Sequence, residues 1–117
     1  MTTPEIARQL VDLCRNGQFA QAYADLFAPD FESIEPAHTL MPHAVGVEGI
    51  QQRAALFHET IKEVHSGYFN EPQVAGRFFS LTLGFEATHT DGVRRNFDEV
   101  GVYEVRDGRI VREQFFY

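Results

Sequence analysis

Residues 77–117, RFFSLTLGFEATHTDGVRRNFDEVGVYEVRDGRIVREQFFY, decide the fold of this chain. Apolar and polar side chains alternate along much of this stretch, which is the pattern of strands that bury one face of a sheet. The dipeptides Asp91-Gly92 and Asp107-Gly108 interrupt the alternation, and both are typical of tight hairpins whose central residues need positive φ. The pattern predicts a strongly bent antiparallel meander with strands over residues 65–74, 77–89, 94–106 and 109–117.

The N-terminal part of the chain shows a helical period instead. Thr3, which is followed by proline, can cap a first helix that Asn16-Gly17 ends. Apolar side chains at helical spacing predict a second helix, which Pro29 stops. The same spacing predicts a third helix over residues 49–64.

A short strand and a loop are predicted between the second and third helices. Residues 31–35 alternate in the manner of a strand. Residues 37–46 show no period, and prolines interrupt the sequence around them, so we expect a long surface loop there. Such a loop could cover a cavity.

Composition indicates a single domain over residues 1–117 and excludes several classes of protein. Acidic residues outnumber basic ones by 17 to 10, and the formal net charge of −7 repels nucleic acid and anionic membranes. Cys14 is the only cysteine, which excludes an intrachain disulfide and fits a reducing cytoplasm. The N-terminus has no apolar run of a signal peptide or a transmembrane span, so we expect a complete, soluble, cytoplasmic chain.

The two faces of the meander follow from the register of its hairpins. Cross-strand partners share a face, so two-residue loops would place the following residues together: Phe79, Leu81, Leu83, Phe85, Ala87, Asp98, Val100, Val102, Glu113, Phe115 and Tyr117. This apolar face is expected to take the helices. The opposite face is polar with aromatic side chains, among them Phe97 and Tyr103, and such surfaces often meet a second copy. We therefore predict a homodimer through the outer face of the sheet.

Three carboxylates on or beside the apolar face are candidate catalytic residues. Burying an unpaired carboxylate costs on the order of several kcal/mol, so Glu113 in mid-strand either faces a wet cavity or forms a buried ion pair. A carboxyl group in an apolar cavity has a raised pKa and can exchange protons near neutral pH. Asp98 shares that face, with solvent exposure at the strand end as the alternative. One β-bulge between Phe97 and Val102 would turn Glu99 inward in its place.

No cofactor or metal site is predicted. The five histidines form neither an HExxH motif nor a cluster with cysteine. The segment GVEG at residues 46–49 precedes a helix but lacks the lysine and the length of a phosphate-binding loop.

Three stretches in order resemble a known family: SIEP at residues 33–36, VHSGYFNEPQVAGRFFSL at 64–81 and GVYEVRDGRIVREQFFY at 101–117. They are similar to the SnoaL-like branch of the nuclear-transport-factor-2-like superfamily, whose fold is a cystatin-like cone, and the likeness covers nearly the whole chain. The resemblance implies an α+β fold with three N-terminal helices packed on a strongly bent antiparallel sheet. It also implies a pocket that often binds a small hydrophobic or polyketide-like molecule.

The resemblance does not fix an activity, because this superfamily includes isomerases, cyclases, epoxide hydrolases and non-catalytic carriers. Its ketosteroid isomerases and SnoaL-type cyclases use an aspartate at about the level of Val100 or Gly101, and neither residue is an acid here. Its isomerases carry a tyrosine on the first helix, whereas Tyr23 lies on the second helix of this chain. A carboxylate catalyst would therefore be one of the three candidates in a displaced position.

Three functions remain open from the sequence. The first is a pocket for a small hydrophobic molecule, with Glu113 as its polar anchor. The second is an isomerase, cyclase or hydratase that uses a pocket carboxylate as acid and base, and the third is a non-catalytic dimeric interaction module. The predicted pocket lining is Tyr23, Phe27, Phe57, Leu81, Leu83, Val100, Phe115 and Tyr117.

Overall fold

The chain forms three helices and one seven-stranded sheet in a computed structural model that describes all of residues 1–117. The helices are α1 (Thr3–Arg15), α2 (Phe19–Leu26) and α3 (Gly46–Thr60). The strands are β1 (Phe27–Ile34), β2 (Ala44–Val45), β3 (Ile61–Phe69), β4 (Gln73–Ala75), β5 (Phe78–His89), β6 (Arg94–Arg106) and β7 (Arg109–Phe116). The predicted α+β class and its antiparallel meander are confirmed.

The strand order in the sheet is β2-β1-β7-β6-β5-β3, and β4 pairs with β5 outside this path. The β1–β7 pair is parallel and the other pairs are antiparallel. β6 has the predicted bounds, but the predicted strand 65–74 is two strands with Pro72 between them, where proline cannot donate to a ladder. None of the three helices has the length and the apolar composition that a membrane span requires.

Helix α1 begins with a capping box one residue earlier than predicted. The N-cap is Thr2 rather than Thr3, and its hydroxyl accepts a hydrogen bond from the Glu5 N–H. The Glu5 carboxylate in turn accepts the Thr2 N–H. This reciprocal pair satisfies two backbone donors at the helix start.

The boundaries around α3 also differ from the prediction. Helix α3 starts at Gly46, whose φ of +66° suits glycine, and it ends at Thr60 instead of residue 64. β-branched Ile61 begins β3 directly after the helix. Helix α2 ends at Leu26, three residues before Pro29, which belongs to β1 in the irregular part where the pairing with β7 shifts before Glu32.

The core packs α1 and α2 against one end of the inner sheet face. Ile6 of α1 shares this core with Phe79 of β5 and Ile110 of β7. The only buried residues of α3 are Gly46 and Arg53, so α3 brings few apolar side chains to the other end of that face. Space is therefore left between α3 and the sheet.

The predicted register of β6 is wrong by one residue on both of its sides. Towards β5, the turn after His89 is longer than two residues, so Leu83 pairs with Glu99 instead of Val100. Towards β7, a β-bulge adds Val111, and from there the pairing moves by one residue. Beyond the bulge the two shifts cancel for β7, so Glu113 and Phe115 face inward as predicted.

As a result, each side chain of β6 faces the side of the sheet opposite to the one predicted. Glu99, Gly101 and Tyr103 share the inner face with Leu81 and Phe79, because these residues are paired across β5 and β6. Three residues predicted to face inward lie on the outer face instead: Asp98, Val100 and Val102. The pairing of β6 with β5 runs without interruption, so no bulge on β6 causes this change.

Candidate functional site

A cavity of about 450 Å³, here named the inner chamber, lies between the helices and the inner face of the sheet. Thirteen of its 20 lining residues are hydrophobic. Its aromatic lining consists of Phe19, Tyr23, Phe27, Phe57, Phe69, Phe85, Tyr103 and Phe115. A volume of a few hundred Å³ with this lining is typical of small-molecule sites.

A second cavity of about 570 Å³, the outer chamber, shares six lining residues with the inner one, among them Glu99 and Arg53. Leu40 and Met41 line it from the loop between β1 and β2. The predicted loop over residues 37–46 does therefore border a cavity, although its last residues form β2 and the start of α3.

Glu113 lies on β7 with its carboxyl group in the wall of the inner chamber and is only 2% exposed. Its Oε1 accepts hydrogen bonds from the Tyr23 hydroxyl at 2.9 Å and the Ser33 hydroxyl at 2.8 Å. Its Oε2 has no partner in the protein. Burial raises the pKa of Glu113 to about 7, against the opposing effect of the two hydrogen bonds.

Ser33 connects Glu113 to a buried arginine. Nη2 of Arg53 donates to the Ser33 hydroxyl at 2.6 Å, and Nη1 donates to the Ser33 carbonyl at 3.1 Å. Arg53 also lies 3.7 Å from the Glu35 carboxylate. Glu113 therefore faces the cavity and makes no direct ion pair with Arg53, because the Ser33 hydroxyl lies between them.

Sequence reasoning missed both Ser33 and Arg53. Arg53 could have been found, because it stands between Ile50 and Phe57 on the apolar stripe of α3, where a charge is unexpected. Ser33 gave no such signal, since serine on a short strand is common.

Glu99 lines both chambers and makes no hydrogen bond within the protein. Burial raises the pKa of Glu99 to about 7, and the nearby Glu35 carboxylate adds to this effect while Arg53 opposes it. Asp98 lies on the other side of the sheet, where it accepts a hydrogen bond from the Tyr68 hydroxyl at 2.6 Å. Of the three candidate acids, the structure brings Glu113 and Glu99 to the cavity and leaves Asp98 outside.

Tyr103 is a polar lining residue that the predicted register placed on the wrong face. It is 5% exposed, pairs with Glu113 across β6 and β7, and its hydroxyl makes no hydrogen bond within the protein. Its ring extends over Gly101, where an added Cβ would lie 3.0 Å from Cε1 and 3.3 Å from the hydroxyl oxygen. The missing side chain of Gly101 therefore makes room for the Tyr103 hydroxyl near Glu99.

Most of the predicted lining residues border the cavities. Those in the wall of the inner chamber are Tyr23, Phe27, Phe57, Leu83 and Phe115. Tyr117 lines the outer chamber, where its hydroxyl donates to Glu35 Oε2 at 2.7 Å. Leu81 belongs to the solid core, and Val100 lies on the outer face, 40% exposed, because β6 is turned over.

Two further side chains border the chambers. Cys14 of α1 lines the inner chamber, and burial raises the pKa of its thiol to about 12, so it is a weak nucleophile at neutral pH. His89 lines the outer chamber with Nδ1 buried and unpartnered. No group of three or more histidine, cysteine or acidic side chains is arranged to hold a metal ion.

Three solved structures share this fold. A Mesorhizobium loti protein, proposed to be a SnoaL-like polyketide cyclase (carbohydrate phosphatase), is 36% identical, with 100% of both chains covered and a TM-score of 0.89. TerC, co-crystallised with polyporic acid, is 18% identical, with 99% and 92% of the two chains covered and a TM-score of 0.78. A Catenulispora acidiphila protein with a ketosteroid isomerase-like fold, in complex with trimethylamine, is 21% identical, with 99% and 87% covered and a TM-score of 0.72.

At the level of sequence, none of the curated proteins is significantly similar. A family model described as the SnoaL-like domain, however, matches residues 1–117. The resemblance seen in the sequence is therefore confirmed over the full length. This chain belongs to the SnoaL-like domain family.

Proposed function

We propose that the protein binds a small, largely apolar molecule in the inner chamber, with Glu99 and Tyr103 supplying polar contacts. One observation carries this proposal: the carboxyl group of Glu99 and the hydroxyl of Tyr103 line an aromatic cavity, and neither has a hydrogen-bond partner in the protein. Polar groups inside a protein are nearly always hydrogen-bonded, so the partners of these two groups are expected to come from a bound molecule or water. Glu113, whose Oε2 is free, can serve as a further anchor.

Small organic molecules in other proteins of this fold support the proposal. TerC was crystallised with polyporic acid, and the Catenulispora acidiphila protein with trimethylamine. These two molecules differ in charge and size, so the fold alone does not set the ligand. The polar groups of this chain must do so.

A neutral apolar fluorophore, N-phenylnaphthylamine, tests binding directly. We expect a saturable rise in fluorescence with one site per chain. The variant Leu83→Trp should lose this signal because the larger ring fills the inner chamber, whereas the exposed Val93→Trp should keep it. A signal that does not saturate, or that is the same in both variants, would contradict the proposal.

A second candidate function is acid–base catalysis by Glu99, as in an isomerase, cyclase or hydratase. It is favoured by a carboxyl group that lines the cavity, has no partner and has a pKa of about 7, close to the working pH. The Glu99 carboxylate would take a proton from the carbon beside a carbonyl group, leaving an enolate. The carboxyl group would then return a proton to the same carbon, which exchanges it, or to another carbon of a conjugated enolate, which isomerises the substrate.

Deuterium exchange measures this proton transfer without knowledge of the natural substrate. In heavy water, the protein should exchange the proton beside the carbonyl of a bound tetralone, as followed by NMR. Glu99→Gln should slow the exchange at least about a hundredfold, and the exposed Glu32→Gln should not. Exchange no faster than in buffer, or equal in both variants, would argue against catalysis.

We further propose a homodimer through the outer face of the sheet. The exposed apolar side chains on that face support it: Val100 and Phe116, which pair across β6 and β7, are 40% and 50% exposed. Sedimentation should give a dimer, and Phe116→Lys should give a monomer. A monomeric wild type at micromolar and higher concentrations would refute the dimer.

A further inference from the structure

We propose that the ligand of the inner chamber is a protonated amine with an apolar body. This inference rests on the proposed binding function and narrows it to a class of molecule. It is carried by the charges, the unpartnered acceptors and the aromatic walls of the chamber.

Acidic side chains outnumber basic ones around the chamber. Three carboxyl groups line it, those of Glu35, Glu99 and Glu113, against the single buried guanidinium of Arg53. The Arg53 guanidinium is already engaged by Ser33, by the Glu35 carboxylate and, at 3.5 Å, by a backbone carbonyl. A ligand therefore meets an excess of carboxyl groups inside the chamber, where the only other basic side chain in the lining is the exposed His58.

The unpartnered groups are suited to accept hydrogen bonds. They are the Glu99 carboxylate, Oε2 of Glu113 and the hydroxyl oxygen of Tyr103, a residue that is 5% exposed. Tyr103 pairs directly with Glu113, and its hydroxyl lies over Gly101, the neighbour of Glu99 on the same face of β6. A primary ammonium group has three N–H donors and no acceptor, which matches this set of three.

The aromatic side chains of the chamber also favour a positively charged ligand. Eight aromatic side chains line the chamber. The face of an aromatic ring attracts a cation, and does so more strongly where water is excluded. An anionic ligand would instead face both this quadrupole and the carboxylates.

Binding of an ammonium group should be linked to pH. Without a ligand, burial raises the pKa of both Glu99 and Glu113 to about 7. A nearby cation favours their charged forms, so the amine should bind most tightly above pH 7 and should release protons when it binds below it. The other titratable or charged groups that line the two chambers with these carboxyls are Cys14, Tyr23, Glu35, Arg53, His58, His89, Tyr103 and Tyr117.

Matched pairs of small molecules test the inference. Calorimetry would compare benzylamine, phenethylamine and naphthylmethylamine with the alcohols of the same carbon skeletons, which differ in charge and scarcely in shape. At pH 8 at least one amine should bind about tenfold tighter than its alcohol, and this affinity should fall about tenfold at pH 6, as expected for the uptake of one proton by the free protein. Glu99→Gln should lose about tenfold in amine affinity, while Glu32→Gln, on the exposed side of β1, should lose none.

The outcomes separate the two proposals. If the alcohols bind as well as the amines, or if amine affinity does not depend on pH and on Glu99, the amine inference is overturned while the binding function stands. If amines, alcohols and N-phenylnaphthylamine all fail to bind, both are overturned together.

Discussion

Glu113 shows how one buried carboxyl group can couple the stability of this protein to pH. Burial favours its protonated form, while the hydroxyls of Tyr23 and Ser33 favour the charged form. Burial has the larger effect, so the pKa rises from an ordinary 4.5 to about 7. The folded chain thus holds a proton on Glu113 at a pH at which the unfolded chain has released it.

The expected result is a loss of stability as pH rises from about 4.5 to 7, because the unfolded chain binds fewer protons over this window. At about 1.4 kcal/mol per pKa unit, Glu113 contributes about 3 kcal/mol below this window that is absent above it. Urea denaturation at pH 5 and pH 8 should show this difference between wild type and Glu113→Gln, in which an amide oxygen still accepts both hydroxyls. Parallel pH dependences of the two proteins would show that Glu113 is not responsible.

The Ser33 hydroxyl bonds to two charged residues of the site, so its removal should affect both of them. It donates to Glu113 and accepts from Arg53, so Ser33→Ala leaves a buried guanidinium N–H without a partner. We expect a loss of about 1–3 kcal/mol in the free energy of unfolding and a further rise in the pKa of Glu113. Tyr23→Phe removes only the other hydrogen bond to Glu113 and should cost less. An equal loss in both variants would argue against the link through Arg53.

At the scale of elements, three strands meet at an ionic cluster on the outer face of the sheet. Glu104 of β6 has a side chain that is 9% exposed and contacts Arg77 next to β5, Arg106 of β6 and Arg112 of β7. Arg112 is the residue directly after the bulged Val111. The cluster therefore ties the strand ends together where the register changes.

Removing the acid from this cluster should weaken the sheet. Glu104→Gln leaves three guanidinium groups beside one another without a compensating charge, and we expect a loss of about 1–2 kcal/mol in the free energy of unfolding. The control is Glu86→Gln, which breaks one exposed pair with Arg94 and should have a smaller effect. The measurement is urea denaturation at low and high salt, and equal losses in both variants would contradict this role of the cluster.

At the scale of the whole molecule, the helices fill one end of the sheet and leave the other open. α1 and α2 supply the helical residues of the core, whereas the only buried residues of α3 are Gly46 and Arg53. Interiors of proteins are normally close-packed, so a cavity of this size is a loss of packing energy that the fold tolerates. Such a loss is common where a site must admit a ligand.

Filling this cavity should stabilise the fold and weaken ligand binding. Cys14→Met places a longer, flexible side chain into the inner chamber, and we expect a gain of about 0.5–2 kcal/mol in stability with a weaker affinity for N-phenylnaphthylamine. Cys14→Ser keeps the volume and should keep the affinity. Unchanged binding in the methionine variant would mean that the dye binds elsewhere.

The sequence by itself determined the class of fold, the order of the three helices and of the longer strands, and the inward position of Glu113. Local signals suffice for these features, because periodicity, capping residues and Asp-Gly turns act within a few residues. The three stretches that resemble SnoaL-like proteins added the family, and that assignment is confirmed.

Only the tertiary structure decided which acid of β6 enters the cavity. A one-residue change of register turns every side chain of a strand over, and neither the longer turn after His89 nor the bulge at Val111 has a clear signal in the sequence. The two shifts cancelled at β7, which is why Glu113 was placed correctly while Asp98 and Val100 were not. Glu99 and Tyr103 thus owe their place in the cavity to pairing between distant strands, which no local pattern specifies.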